Sequence, residues 1–101
     1  MDDDFRKHDA GKLRWSLLPR EVMRSVVAVL GHGATKYKDD NWKKCDDVTR
    51  YWDAFDRHRD AVQIDGELID FDTGHSHITS MICNLIFIHW LTHFKPPKGD
   101  F

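Results

Sequence analysis

The apolar run from Ile78 to Leu91 is the feature that most constrains how this chain can fold. Its periodicity predicts a helix from about His75 to His93 that carries apolar side chains on nearly every face. A helix of this kind is normally buried on all sides. One face carries Ile78, Met81, Ile82, Leu85, Ile86 and His89, and the other faces carry Phe87, Ile88, Trp90 and Leu91.

A first helix is predicted from apolar residues that recur at helical spacing between Pro19 and Leu30. Gly31 or Gly33 would end this helix, since glycine is often the residue that follows a helix. The next segment, as far as Asp47, has no period and many charges. It predicts a loop with room for one helical turn.

A second helix begins near Thr49 and is broken at Asp65-Gly66. The loop that follows, Glu67 to Gly74, leads into the last helix. No alternating strand pattern longer than a few residues is present, so the prediction is an all-α fold. The apolar stripe of the second helix consists of Tyr51, Ala54, Phe55, His58, Ala61 and Val62.

Three helices of these lengths form one small domain over residues 1–101, with a flexible arm at 1–11 and a frayed tail at 94–101. Two short helices cannot cover the last helix from every direction. We therefore expect its uncovered face to meet another subunit, in a homodimer or homotetramer that completes the bundle.

The charge and the cysteines limit the kind of protein this can be. A net charge of −2 argues against a protein that coats nucleic acid. The N-terminus is acidic and unlike a signal peptide, and the run Ile78–Leu91 is too short to span a bilayer comfortably. Cys45 and Cys83 fit no zinc-knuckle spacing. We expect a cytoplasmic protein that contacts neither a membrane nor nucleic acid.

Oxygen and nitrogen ligands are dense between Arg57 and His77, which predicts a metal and phosphate site where two helices meet. Glu67 and Asp70 are three residues apart and can share a cation on one turn. The alternative is a polar loop exposed to water. Asp53, one helix earlier, could supply a further ligand, and His77 stands beside the acidic loop.

Two further sets of side chains could bind a nucleotide. The guanidinium of Arg57 can clamp phosphate oxygens with two hydrogen bonds. In the loop after the first helix, an aromatic and cationic cluster could stack on a base, read its edge and meet phosphate charge. That cluster is Lys36, Tyr37, Asn41 and Trp42, and Trp15 with Lys12 could serve similarly. The alternative is that both tryptophans simply cover a small core.

The order of several motifs resembles one known family. Several short segments follow one another in a fixed order over residues 12–91. They are KLRWSLLP, GATKY with NW, RY with RH, and then GE, D, TG, H and N. This series resembles the phage-encoded dATP/dGTP diphosphohydrolases, a MazG-like group of all-α nucleoside triphosphate pyrophosphohydrolases that includes the MazZ proteins of phages with 2-aminoadenine genomes. A series of spaced motifs is far more specific than any single one.

The resemblance implies hydrolysis of a purine deoxynucleoside triphosphate to the monophosphate and pyrophosphate, with Mg²⁺ or Mn²⁺. It suggests metal ligands at Glu67, Asp70 and His77, with Asp53 as a candidate for a further one. It suggests catalytic roles for Glu67, Asp70, Lys36 and Arg57. The substrate-binding set is Lys12, Trp15, Lys36, Tyr37, Asn41, Trp42, Arg57 and His58.

The chain departs from the pattern of the family at two places. Ser80 stands where the second histidine of the H..H motif is expected, and the paired-glutamate signature of MazG-like helices is reduced to Glu21. A non-catalytic nucleotide-binding or host-interaction dimer is therefore the alternative function. A helical DNA-binding module is disfavoured by the charge.

Overall fold

A computed structural model describes residues 10–97 of the chain. Three α-helices, α1 (Arg20–Tyr37), α2 (Thr49–Gln63) and α3 (His77–His93), are joined by loops that contain 3-10 turns at Trp15–Leu17 and Asn41–Lys44. The all-α prediction is confirmed. Within residues 10–97 the only extended pairing is an isolated antiparallel bridge between Ile69 and Ser76. Most of the predicted arm at 1–11 and half of the tail at 94–101 lie outside the described residues.

The end of α1 corrects the sequence prediction. The helix continues through Gly31 and Gly33 and ends at Tyr37, seven residues beyond the predicted Leu30. A glycine inside a helix costs only about 1 kcal/mol relative to alanine, so continuing backbone hydrogen bonds can outweigh it. The helix stops instead at Lys38, whose φ of 128° is incompatible with another helical residue. Lys36 and Tyr37 are therefore helical.

The core is formed where α3 packs against both other helices. Val26 of α1 and the α3 residues Cys83 and Ile88 are the buried apolar side chains of the described chain. Cys83 is 2% exposed, its thiol lies 3.8 Å from the Val26 carbonyl, and burial raises the pKa of this thiol to about 11. It is thus an inert packing residue.

The other side of α3 faces solvent. Ile78, Leu85 and Ile86 are 49%, 42% and 39% exposed, although α3 contains no Asp, Glu, Lys or Arg. Within one chain the helix is therefore covered on one side only, and its uncovered side is the apolar face recognised in the sequence. None of the described helices combines the length and the hydropathy that a bilayer crossing requires.

Candidate functional site

The acidic loop begins where α2 ends. Gly66 adopts a φ of +67°, a conformation that glycine reaches without steric cost, and it turns the chain back towards α3. The next residue, Glu67, donates its backbone N–H to the Ala61 carbonyl at 2.9 Å. This bond fixes the start of the loop against the last turn of α2.

The far end of the loop is fixed against the start of α3. Asp70 donates its backbone N–H to the His75 carbonyl at 2.8 Å, and His77 donates to the Leu68 carbonyl at 2.9 Å. The Ser76 hydroxyl then accepts the N–H groups of the first turn of α3, a cap that typically contributes about 1 kcal/mol. These bonds hold the carboxylates of the loop beside the first turn of α3.

Three side chains converge at this corner. His58 of α2, Asp70 of the loop and His77 of α3 each offer one ligand atom, and these atoms lie within 4.8 Å of one another. The Nδ1 atoms of His58 and His77 are 2.7 Å apart. His77 is buried, and the other two residues are half-buried. Two imidazoles and a carboxylate are an established ligand set for divalent metal ions.

Glu67 approaches the same histidine from its other nitrogen. Its Oε1 lies 3.1 Å from Nε2 of His77. An ionised carboxylate can only accept a hydrogen bond, so Nε2 of His77 must carry the proton. In the neutral ring Nδ1 is then bare, and it accepts the bond from Nδ1–H of His58. The polar chain runs from His58 through His77 to Glu67.

The surroundings of His58 lower its pKa below the ordinary value of 6.5. Burial is the main cause, because it penalises the charged ring, and the neighbouring His77 adds to the effect. Asp70 opposes the shift, and the charge of Arg57 acts in the same direction as burial. His58 is therefore held neutral, which is the form that binds a metal ion.

This shift predicts a pH dependence of stability. Above the ordinary pKa of 6.5, His58 is neutral in both states and its contribution is complete. As the pH falls, the unfolded chain binds the proton first, and stability is lost until the pH has passed the lowered pKa of the folded state. We expect the metal-free chain to unfold at lower urea concentration at about pH 5 than at about pH 8, and His58→Gln to reduce this difference. An unchanged difference in the variant would contradict the assignment.

A groove of about 970 Å³ opens next to the three-residue cluster. Its volume is in the range of small-molecule sites. His58 forms part of its wall, and the residues predicted to bind a nucleotide also line it: Lys36, Tyr37, Asn41 and Trp42. Trp42 also stacks on Phe87 of α3, with ring centroids 4.7 Å apart, so one of its faces covers the core as the alternative reading expected.

Four of the candidate residues lie apart from this corner. Lys12, Trp15, Asp53 and Arg57 are exposed and line neither the groove nor the three-residue cluster. Trp15 is 69% exposed. The structure thus brings Asp70, His77 and His58 together, with Glu67 on the other side of the His77 ring. Lys12, Trp15, Asp53 and Arg57 stay at the surface.

Several groove residues were missed by the sequence analysis. Arg50 in the first turn of α2 and the α3 residues Ser80 and Asn84 line the groove. Asn84 is buried and donates to the Ser80 carbonyl at 2.8 Å. An amide within an otherwise apolar run was the available signal for Asn84. The signal for Arg50 was its place in the RY motif, to which the sequence analysis assigned no role.

Comparison with known protein families identifies a matching family model. The family model described as "dATP/dGTP diphosphohydrolase, N-terminal" matches residues 2–100, nearly the whole chain. No curated protein and no solved structure matches the chain. The span of the match agrees with the series of motifs found in the sequence. The chain therefore belongs to the family of dATP/dGTP diphosphohydrolase N-terminal domains.

Proposed function

We propose that the chain is a divalent-cation-dependent hydrolase that converts dATP or dGTP to the monophosphate and pyrophosphate. One observation carries the proposal. A single groove of nucleotide size is lined by a metal-capable histidine, His58, and also by a lysine, an amide and two aromatic rings. The description of the family supplies the substrate class.

The chemistry of each group indicates which part of the substrate or which cation it would bind. Tyr37, Asn41 and Trp42 offer ring faces and an amide to the nucleoside. Lys36 and Arg50, which line the same groove, would neutralise phosphate oxygens. His58, Asp70 and His77 would hold the cation. When bound, a divalent cation neutralises charge that develops on the phosphoryl oxygens and activates water.

The bond cleaved is the anhydride between the α- and β-phosphates, and water is the nucleophile, so that the monophosphate and pyrophosphate are released. The hydroxyl of Ser80 lines the groove and is available to orient that water. Arg57 lies outside the groove lining, so we assign it to the electrostatic surroundings of His58 and to no direct phosphate contact.

A panel of the eight common ribo- and deoxynucleoside triphosphates tests the proposal. Each is incubated with the protein and Mn²⁺ or Mg²⁺, and the products are separated by chromatography. We expect dATP and dGTP to yield monophosphate and pyrophosphate in equal amounts, with loss of turnover in EDTA. Release of orthophosphate and a diphosphate, or equal turnover of pyrimidine nucleotides, would contradict the proposal.

One observation favours a second candidate, a nucleotide-binding protein without turnover. Among the described residues, Asp70 is the only carboxylate in the three-residue cluster, whereas two-metal phosphotransfer sites use several. Saturable binding of dGTP by calorimetry, with no product after prolonged incubation with any cation, would support this candidate.

We also propose that two copies of the chain pair through the uncovered side of α3. Ile78, Ile82, Leu85 and His89 repeat at the spacing of a coiled-coil seam on this side, and no charged residue interrupts them. The described chain buries only three apolar side chains, so it lacks a closed core of its own. A second copy of the same uncharged seam is the partner whose chemistry matches it.

A further inference from the structure

We infer that the cluster of His58, Asp70 and His77 selects a late first-row transition-metal ion over Mg²⁺, and that Glu67 positions His77 without binding the ion. The cation class is that of Co²⁺, Ni²⁺ and Zn²⁺, with Mn²⁺ weaker and Mg²⁺ weakest. The inference deepens the proposed function, on which its relevance to catalysis rests, but it concerns binding that is measurable without any nucleotide.

The donor atoms carry the selectivity. Two of the three ligand atoms of the cluster are imidazole nitrogens. Mg²⁺ prefers oxygen ligands in octahedral geometry and dehydrates reluctantly, so it usually keeps several waters. Imidazole suits Zn²⁺, Ni²⁺ and Co²⁺, and affinity for nitrogen sites rises from Mn²⁺ towards the later metals.

The burial of the cluster also favours a late transition-metal ion over Mg²⁺. His77 is only 6% exposed, and His58 and Asp70 are half-buried. An ion that reaches both Nδ1 atoms must give up much of its water shell. Mg²⁺ loses its water least readily, so burial adds to the preference set by the donor atoms.

The position of Glu67 follows from the geometry of the imidazole ring. Its carboxylate contacts Nε2 of His77, whereas Nδ1 of the same ring faces His58 of the cluster. The two ring nitrogens point away from each other, so Glu67 stands on the opposite side of the ring from the cation position. A carboxylate that accepts the outer N–H of a metal-binding histidine fixes its tautomer and makes it a stronger ligand.

The arrangement of protons allows an ion to bind without net proton release. If His77 is neutral with its proton on Nε2, the proton between the two Nδ1 atoms belongs to His58. An ion bound to both Nδ1 atoms would require that proton to pass to solvent while Nε2 of His58 takes up a proton from solvent, so no net proton would be released. His58 stays neutral and changes only its tautomer.

Binding to the full-length, EDTA-treated protein tests both parts. Co²⁺ is titrated and followed by its visible absorption, and Zn²⁺, Mn²⁺ and Mg²⁺ are measured by competition. We expect Mg²⁺ to compete at least about 100-fold more weakly than Zn²⁺, and Asp70→Asn to remove the Co²⁺ signal. Mg²⁺ that displaces Co²⁺ as effectively as Zn²⁺ does would overturn the selectivity.

The role of Glu67 is tested with a pair of variants. Glu67→Ala removes the acceptor from Nε2 of His77, and we expect Co²⁺ affinity to fall by about 10- to 100-fold. Glu67→Gln keeps an acceptor oxygen and should retain most of the affinity. If Glu67→Gln loses as much affinity as Asp70→Asn does, Glu67 is a ligand and the positioning role is wrong. Helical circular dichroism confirms that each variant is folded.

These experiments test the metal selectivity and the proposed hydrolase activity independently of each other. A chain that binds Co²⁺ in the expected order yet hydrolyses no nucleotide refutes the proposed function and supports the metal assignment. A chain that hydrolyses dGTP while it binds Mg²⁺ as tightly as Zn²⁺ refutes the metal selectivity and supports the function.

Discussion

Asp70→Asn is expected to lower kcat/KM for the preferred purine triphosphate by about 1000-fold or more. Asp70 supplies the only negative charge of the three-residue cluster. A bound cation contributes several kcal/mol to transition-state stabilisation, and each 1.36 kcal/mol corresponds to a factor of ten in rate. The fold should be kept, because the amide oxygen of Asn can still accept the N–H of Asp72, as Oδ1 of Asp70 does at 2.9 Å.

Steady-state kinetics with product chromatography measures this effect, and Asp72→Asn is the matched control. Asp72 carries the same charge two residues away, but its side chain is exposed and lies outside the cluster. We expect the control to stay within about twofold of the wild type, as exposed substitutions usually do. Equal losses in the two variants would show that the charge of the loop matters and that the cluster does not.

Leu85→Glu is expected to convert the proposed dimer to a monomer. Leu85 is 42% exposed in the single chain and lies in the middle of the proposed α3 seam. The two-fold relation would bring a carboxylate from each copy into an apolar contact, where each unpaired charge costs several kcal/mol. We expect the mass to fall from twice 11.9 kDa to that of one chain. The midpoint of thermal unfolding should fall by about 10 °C or more.

Sedimentation velocity over a range of protein concentrations measures the mass, and Ile64→Glu provides the control. Ile64 is 75% exposed at the end of α2, outside the seam, so the same change from apolar to acidic should leave the dimer intact. A wild-type protein that sediments as one chain at every concentration, or a Leu85→Glu variant that remains dimeric, would refute the pairing through α3.

The helices were predictable because each depends mainly on local periodicity. The bounds of α2 and α3 agree with the apolar stripe and with the break at Asp65-Gly66. The end of α1 was not predictable, since Gly31 and Gly33 signal a helix end locally, and their cost of about 1 kcal/mol each is small enough for other interactions to override. The conformation of Lys38 that does end α1 has no sequence signal.

The corner of the candidate site was predictable, but its internal arrangement was not. Spacing placed Glu67 and Asp70 on one turn and suggested that they share a cation. The loop is not helical, however, and its bonds to α2 and α3 put Glu67 behind His77 and Asp70 among the ligand atoms. Periodicity placed His58 on the inner stripe of α2. Which side chain its ring meets depends on the alignment of two helices, which the sequence does not encode locally.

The contact between the rings of His58 and His77 also bears on how α2 and α3 are aligned. Apolar packing is non-directional and tolerates sliding of one helix along another. A shift by one turn, about 5.4 Å, would separate nitrogens that are now 2.7 Å apart and leave Nδ1 of the buried His77 without its partner. The contact between the two histidines thus favours a single axial alignment of α2 relative to α3.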